Sequence, residues 1–287
     1  MTAEPHIGVA ACAGRMGRAI LGAVIDAAEC RLGGASQYAG HPAVAHDAGV
    51  LAGRPEAGIS VSGDVPSMIG QVDAVIDFST PEATAAHLAA ARDHRTPIAI
   101  GTTGMSAAEH RMLEEASRDI AIVAAPNMSV GGTLLAALTE HAAAILDEDY
   151  DIEVVGFQHR HKVDAPSGTA FSVARAAARG RGVPPDTVGA TPRDGHTGPR
   201  PPGLIGMTTI QGGTVSGEHT AIFAGPGERL EFHHKPADRR VYALGAVRSA
   251  LWLIGRPPGL YDMRDVLELA LPERAKSGKN IKGNQIA

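Results

Sequence analysis

Apolar positions in the first half of the chain recur in two alternating patterns. Ile7–Cys12 is an unbroken apolar run, the pattern of a strand buried on both faces. Met16, Ile20 and Val24 then recur four apart, placing them on one face of a helix. Arg31–Ser36 reads as a second strand and Val72–Phe78, rich in valine and isoleucine, as a third. Pro81 sits where a helix tolerates proline, in its first turn, and alanine-rich sequence continues to His94. Pro97–Ile100 is a short strand that runs into Gly101-Thr102-Thr103-Gly104. A helix over Ala107–Asp119 leads to the strand Ile120–Ala125. Strand and helix alternating over short links predict a parallel sheet covered on both faces.

The pattern changes near Ser129. A long helix over Ser129–Leu146 precedes a strand over Asp151–Gln158 and an alanine-rich helix over Ser167–Arg179. The stretch from Gly180 to Gly203 is dense in Pro, Gly and Arg and reads as a long loop. Leu204–Gln211, Gly217–Phe223 and Arg229–His233 follow as strands separated by glycine turns, which predicts an antiparallel meander. Helical sequence resumes from Asp238 to Ile254. The organisation expected is therefore an α/β domain over 1–128, an α+β domain with a mixed or antiparallel sheet over 129–239, helices over 240–270, and a flexible lysine- and glycine-bearing tail over 271–287.

Composition narrows the class. The chain has 287 residues, 44% of them hydrophobic, enough to close a real core. With 26 basic against 31 acidic residues, net −5, and no long basic run, it does not read as a nucleic-acid binder. Aromatics are 3%, too few for base-stacking platforms. Two cysteines, Cys12 and Cys30, make no disulfide framework and fit a reducing compartment. No apolar stretch reaches membrane-spanning length, and the first residues lack the order of a signal peptide. The expectation is a cytoplasmic globular enzyme.

Two places carry chemistry. Ala11-Cys12-Ala13-Gly14-Arg15-Met16-Gly17 joins the first strand to the first helix, where glycine turns set helix N–H groups against a pyrophosphate. Gly14 and Gly17 hold the second and third glycine positions of that fingerprint, and Ala11 stands at the first. After the second strand an acidic residue would bind a ribose hydroxyl. Here the sequence is Ser36-Gln37-Tyr38, and Gln37 neither repels a 2′-phosphate nor demands its absence. With Arg15 nearby, NADH and NADPH both remain open. Two further strand ends should face the cofactor, Gly101-Thr102-Thr103 and Ala125-Pro126-Asn127-Met128.

The second place is His159-Arg160-His161-Lys162-Val163-Asp164-Ala165-Pro166-Ser167-Gly168-Thr169, a strand-to-helix link. Ser167-Gly168-Thr169 opens the helix, and exposed amides there bind a carboxylate. The adjacent cations add an anion site with a proton donor. On composition alone a basic surface loop is equally consistent. A His-x-His metal site lacks completing ligands, so no metal is expected.

On Gly14-Arg15-Met16-Gly17, Gly101-Thr102-Thr103-Gly104, Asn127-Met128-Ser129-Val130-Gly131, His161–Ala170, Gly195-His196-Thr197-Gly198, Gly217-Glu218-His219-Thr220, Gly245-Ala246-Val247-Arg248 and Asp262–Leu267, the chain resembles the bacterial dihydrodipicolinate reductase family from Ile7 to about Leu267. The resemblance implies a Rossmann-like N-terminal domain to which the last helices return, and a homotetramer built through the second sheet. It implies reduction of a small cyclic imine dicarboxylate by NADH or NADPH in lysine and diaminopimelate biosynthesis. Lys162 matches a proton donor and carboxylate neighbour, His159 a substrate-binding histidine, and Ser167, Gly168 and Thr169 the carboxylate cradle. One departure falls on the chemistry: Gln158 stands in the slot of the family's proposed general acid, and an amide cannot deliver a proton near pH 7. The readings this leaves are the family reaction, a paralogous reductase of another imine or carbonyl acid, and a catalytically weak nucleotide-binding subunit.

Overall fold

The computed structural model describes residues 4–189 and 195–269. In chain order the elements are β1 (His6–Ala10), α1 (Arg15–Asp26), β2 (Arg31–Ala35), α2 (Ala48–Leu51), α3 (Val65–Ile69), β3 (Ala74–Asp77), α4 (Pro81–His94), β4 (Ile98–Ile100), α5 (Ala107–Ala116), β5 (Ala121–Ala124), α6 (Val130–Ile145), β6 (Asp151–Gln158), α7 (Gly168–Arg181), β7 (Val188–Gly189), β8 (Ile205–Gln211), β9 (Glu218–Gly225), β10 (Glu228–His234), α8 (Arg240–Leu253), β11 (Gly259–Tyr261) and α9 (Met263–Val266).

The first sheet is parallel throughout, in the order β11-β5-β4-β3-β1-β2. Its strands are apolar on both faces because both are covered. Ile7, Val9, Ile76 and Val123 pack against Ile20, Leu21 and Val24 of α1 and Ala243, Ala246, Ala250 and Leu253 of α8. Val75, Ile98, Ile100 and Ile122 pack the other way, with Met68, Leu88, Ala91 and Leu113 of α3, α4 and α5. The helices begin where capping side chains can accept their first amides. Thr80 accepts from Ala83 ahead of α4, and Ser106 and Glu109 form a reciprocal capping box at α5.

The second sheet is mixed, in the order β10-β9-β6-β8-β7. The expected meander of β8, β9 and β10 is corrected. Only β9 and β10 form an antiparallel hairpin, and β6 lies between β8 and β9, parallel to the former and antiparallel to the latter. The reason is the crossover. Helix α7 carries the chain from the end of β6 back across the sheet, so β7 and β8 enter parallel to it. The long loop after α7 therefore contains the edge strand β7. One face of this sheet, through Ile152, Val154, Ala221 and Phe223, packs on Leu135 of α6 and Val173, Ala174 and Ala177 of α7.

The chain after residue 239 returns to the first sheet, as expected, but not with helices alone: β11 adds a strand beside β5. Gly245 lets α8 press on the loop after β5, because a Cβ there would lie 1.7 Å from the Met128 carbonyl oxygen. The expected tail from 271 onward lies outside the described residues.

Candidate functional site

The C-terminal ends of β1, β3, β4 and β5 open towards the end of β6 and the start of α7, and the space between is a cleft of about 690 Å³. Of the residues expected from sequence, Gly14, Arg15, Met16, Gly101, Thr102, Thr103, Pro126, Asn127, Met128, Gln158, His159, Lys162 and Thr169 all line it. Residues separated by up to 155 positions thus share one cleft. Ala11, Cys12, Ala13, Gly17, Gln37, Ala125, Ser167 and Gly168 are not among the residues lining it, although Gly168 is exposed in the first turn of α7 beside Thr169.

The turn before α1 explains part of that division. Ala11 takes φ +51°, the left-handed conformation that glycine adopts freely and alanine does not. A Cβ on Gly17 would fall 2.4 Å from the Ala11 carbonyl oxygen, so this position must be glycine for the helix to close on β1. Gly17 and Cys12 are buried in that contact. Helix α1 has no side-chain cap and no acidic residue in its first turn, which leaves its leading amides for an anion. Glycine-lined access, uncapped amides and Arg15 beside them fit the pyrophosphate of a dinucleotide. Gln37 lies just past the end of β2, and its Oε1 accepts from the Tyr38 amide at 3.1 Å.

The floor of the cleft is buttressed. Phe78 lies so close over Gly101 that a Cβ there would meet the ring at 2.1 Å. Behind Thr102 lies a buried polar cluster. Thr84 Oγ1 is 2.8 Å from Asp77 Oδ2 and 2.7 Å from Thr102 Oγ1, and His87 Nδ1 is 3.2 Å from the same Asp77 oxygen. The Ser79 amide also donates to Thr102 Oγ1.

At the opposite wall Ser167 caps α7 by accepting from the Ala170 amide at 3.1 Å, so the Gly168 and Thr169 amides ahead of it remain without a capping side chain. Lys162 Nζ reaches both carboxylate oxygens of Asp164 at 2.7 Å, and that hydrogen bond holds the Asp164 carboxyl below its ordinary range. His159 and His161 stack loosely, their ring centroids 6.4 Å apart. Gln158 points inward and is buried, its Nε2 3.3 Å from His219 Nε2. The same imidazole nitrogen is 2.8 Å from Ser167 Oγ. The Gln158 amide nitrogen can only donate, so His219 Nε2 is an acceptor and the Ser167 hydroxyl donates to it as well. Burial, with His234 and Lys162 nearby, lowers the His219 pKa to about 4, so the ring is neutral.

Sequence reasoning missed Phe78, Ser79, Thr214, Val215, Ser216, Arg239 and Tyr242 on the lining, and His219 behind it. His219 was within reach, because strand alternation places it on the inward face with Ala221 and Phe223. Thr214–Ser216 and Arg239 carry no local pattern; they reach the cleft through the β8–β9 link and the entry to α8. Among the described residues no cluster of His, Cys, Asp or Glu could hold a metal ion.

Residues 5–128 match the family model described as dihydrodipicolinate reductase, N-terminus, and residues 131–267 that described as dihydrodipicolinate reductase, C-terminus. The 4-hydroxy-tetrahydrodipicolinate reductase of Magnetococcus marinus is 49% identical over 261 residues, 91% of this chain and 97% of that protein. That of Ruegeria pomeroyi is 47% identical over 94% of this chain and all of its own length. Among solved structures, a dipicolinate-bound dihydrodipicolinate reductase from Paenisporosarcina sp. TG-14 superposes with a TM-score of 0.70 over 91% of this chain and 98% of its own, at 18% identity, a likeness of fold. With both halves matched and near-full-length relatives this similar, the chain belongs to the dihydrodipicolinate reductase family.

Proposed function

We propose that this chain reduces 4-hydroxy-tetrahydrodipicolinate to tetrahydrodipicolinate with NADH or NADPH, a step of lysine and diaminopimelate biosynthesis. Its relatives bear that activity in their names over nearly all of its length. The observation that carries the reading for this site is the single cleft reached by the uncapped start of α1 and the first turn of α7, and lined by Lys162 together with the Gly101–Thr103 and Pro126–Met128 loops.

The nucleotide, when bound, supplies the hydride. The leading amides of α1 and Arg15 hold its pyrophosphate, and the loops after β4 and β5 flank its nicotinamide. Lys162 Nζ and the Gly168 and Thr169 amides hold the ring carboxylates, with His159 beside them. The hydroxyl leaves as water together with a hydrogen from the adjacent ring carbon, and the double bond so formed takes up the hydride and one proton. Gln158 cannot be the proton source, which leaves that part to Lys162, His159, His161 or a water. Neutral Gln37 leaves both nucleotides acceptable.

Initial-rate measurement of nucleotide oxidation with the ring substrate tests this. Lys162→Ala and Thr169→Ala should each cost about 10²-fold or more in kcat/KM. Rates equal to the parent's, or no turnover with either nucleotide, would overturn it. Gln158 favours one second reading, a reductase of a different imine or carbonyl acid, which a substrate panel separates.

We also place the protein in the cytosol as a homotetramer. Support comes from the outer face of the second sheet. Val155, Phe157, Thr208, Ile210, Thr220 and Ile222 share it by strand pairing, and Ile210 is 48% exposed. Among the described residues no helix is long and apolar enough to cross a membrane.

A further inference from the structure

The loop after β5 and the start of α7 belong to opposite walls of the cleft, yet two of their side chains meet. Asn127 Nδ2 lies 2.9 Å from Thr169 Oγ1. The direction of this bond is fixed by the other end of the amide. Asn127 Oδ1 sits 2.8 Å from the Ser129 backbone N–H, which can only donate. The atom turned to Ser129 must therefore be the oxygen, and the atom turned to Thr169 the NH2. Gly132 of α6 leaves the amide its place, since a Cβ there would lie 3.3 Å from its Nδ2. The loop backbone is held as well, because Met128 is pressed against Gly245 of α8.

The consequence falls on Thr169. Its oxygen accepts from Asn127, so its proton is committed elsewhere, and among the described residues the hydroxyl has no other partner. It lines the cleft in the first turn of α7, beside the uncapped Gly168 and Thr169 amides. A hydroxyl whose lone pair is already engaged is a fixed and polarised donor, which is what an anionic ring substituent requires.

We propose that Asn127 is a positioning residue: by donating to Thr169 it turns that hydroxyl towards the ring carboxylate, and it links the nucleotide-side loop to the substrate-side helix. The inference rests on the reading of the cleft given above, and it concerns a residue expected from sequence only as a backbone neighbour of the cofactor. It also makes the two ligands interdependent. Anything that settles the Pro126–Met128 loop settles the Thr169 donor with it.

A double-mutant cycle on the full-length protein tests the proposal. The probe is pyridine-2,6-dicarboxylate, a planar dianion, titrated calorimetrically with and without NADPH. Asn127→Ala should weaken dicarboxylate binding by about tenfold, and Thr169→Val by at least as much, each loss being that of one charge-assisted donor or of its orientation. The double variant should bind as Thr169→Val does, because Asn127 acts through that hydroxyl alone. NADPH enhancement of dicarboxylate binding should shrink in all three. Asn127→Asp is the second variant should the alanine chain fail to fold. It keeps the acceptor for Ser129 but accepts from Thr169, and its loss should exceed tenfold with Thr169 present and fall by at least threefold in the Thr169→Val background. Additive losses, or parental affinity in Asn127→Ala, would overturn the proposal. A parent protein that neither binds the dicarboxylate nor turns over the ring would instead overturn the functional reading beneath it.

Discussion

His219 makes a measurable contribution to acid sensitivity, and its sign follows from where it sits. Its imidazole is 4% exposed and turned to Gln158 and Ser167 on the inner face of the second sheet. Burial first, then the positive potential of His234 and Lys162, takes its pKa from 6.5 to about 4. The unfolded chain takes up a proton near the ordinary value, whereas the folded chain refuses it until the pH is far lower. Between the two values the unfolded state binds the extra proton, so acid favours unfolding. The neutral imidazole's contribution is complete above the unfolded value and is withdrawn as pH falls towards about 4. At about 1.4 kcal/mol per pH unit, the step from pH 7.5 to pH 5 removes about 2 kcal/mol, an order-of-magnitude figure.

The assay is urea unfolding of the parent and of His219→Gln at both pH values, at one protein concentration so that any association cancels. Glutamine is neutral throughout and retains hydrogen-bonding capacity towards Ser167. Every other group titrates alike in both proteins, so the difference of differences isolates position 219. The parent should lose about 2 kcal/mol more than the variant on acidification. Equal losses would show that His219 does not stay neutral in the fold, and the burial argument would fail with them.

Two further outcomes follow from residues at the cleft. Gln158→His restores an imidazole in the slot of the family's acid, and kcat for ring reduction should rise by about tenfold or more, with a new limb in its pH profile; an unchanged kcat would place the proton source wholly elsewhere. Ala11→Gly relieves a left-handed alanine, a strain of about 1–2 kcal/mol offset by glycine's extra chain entropy of about 0.5–1 kcal/mol, so the urea midpoint should rise by the equivalent of up to about 1 kcal/mol; a fall would mean the methyl packs usefully in the turn.

Much of the fold was legible because strands buried on both faces read as near-continuous apolar runs. Ile7–Cys12 overlaps β1, and Val72–Phe78 and Ile120–Ala125 contain β3 and β5. Strand partnership in the second sheet was not legible. Local pattern reports which face of β8 is apolar but not which neighbour it meets, and the insertion of β6 is decided by the α7 crossover. The three-residue β11 is too short to carry a period, and only its seat beside β5 makes it a strand. For the site, residues on the motif loops were found because glycine and helix-start chemistry is local. Arg239 and Thr214–Ser216 were not, because what brings them to the cleft is the path of the chain between sheets. Asn127 lies between these cases. Its place after β5 was readable, whereas its bond to Thr169, 42 residues on, exists only in the assembled protein.

The arrangement also explains how a chain of net charge −5 can receive a dianionic ring beside a dinucleotide. Neither α1 nor α7 carries an acidic residue in its first turn, so both present uncompensated amides to the same cleft, and Arg15 and Arg239 line it as well. Against this set stands the Asp164 carboxylate, which holds the Lys162 ammonium. The Asp164 side chain is 66% exposed and that of Lys162 only 19%, so of the pair it is the aspartate that can leave for water at small cost. On the binding mode proposed above, a ring carboxylate entering beside Thr169 would compete with Asp164 for the ammonium. It would succeed through donors Asp164 does not use in this structure, the Gly168 and Thr169 amides and the Thr169 hydroxyl. On that mode, selectivity for a second carboxylate over a plain imine would reside in the start of α7 more than in the lysine.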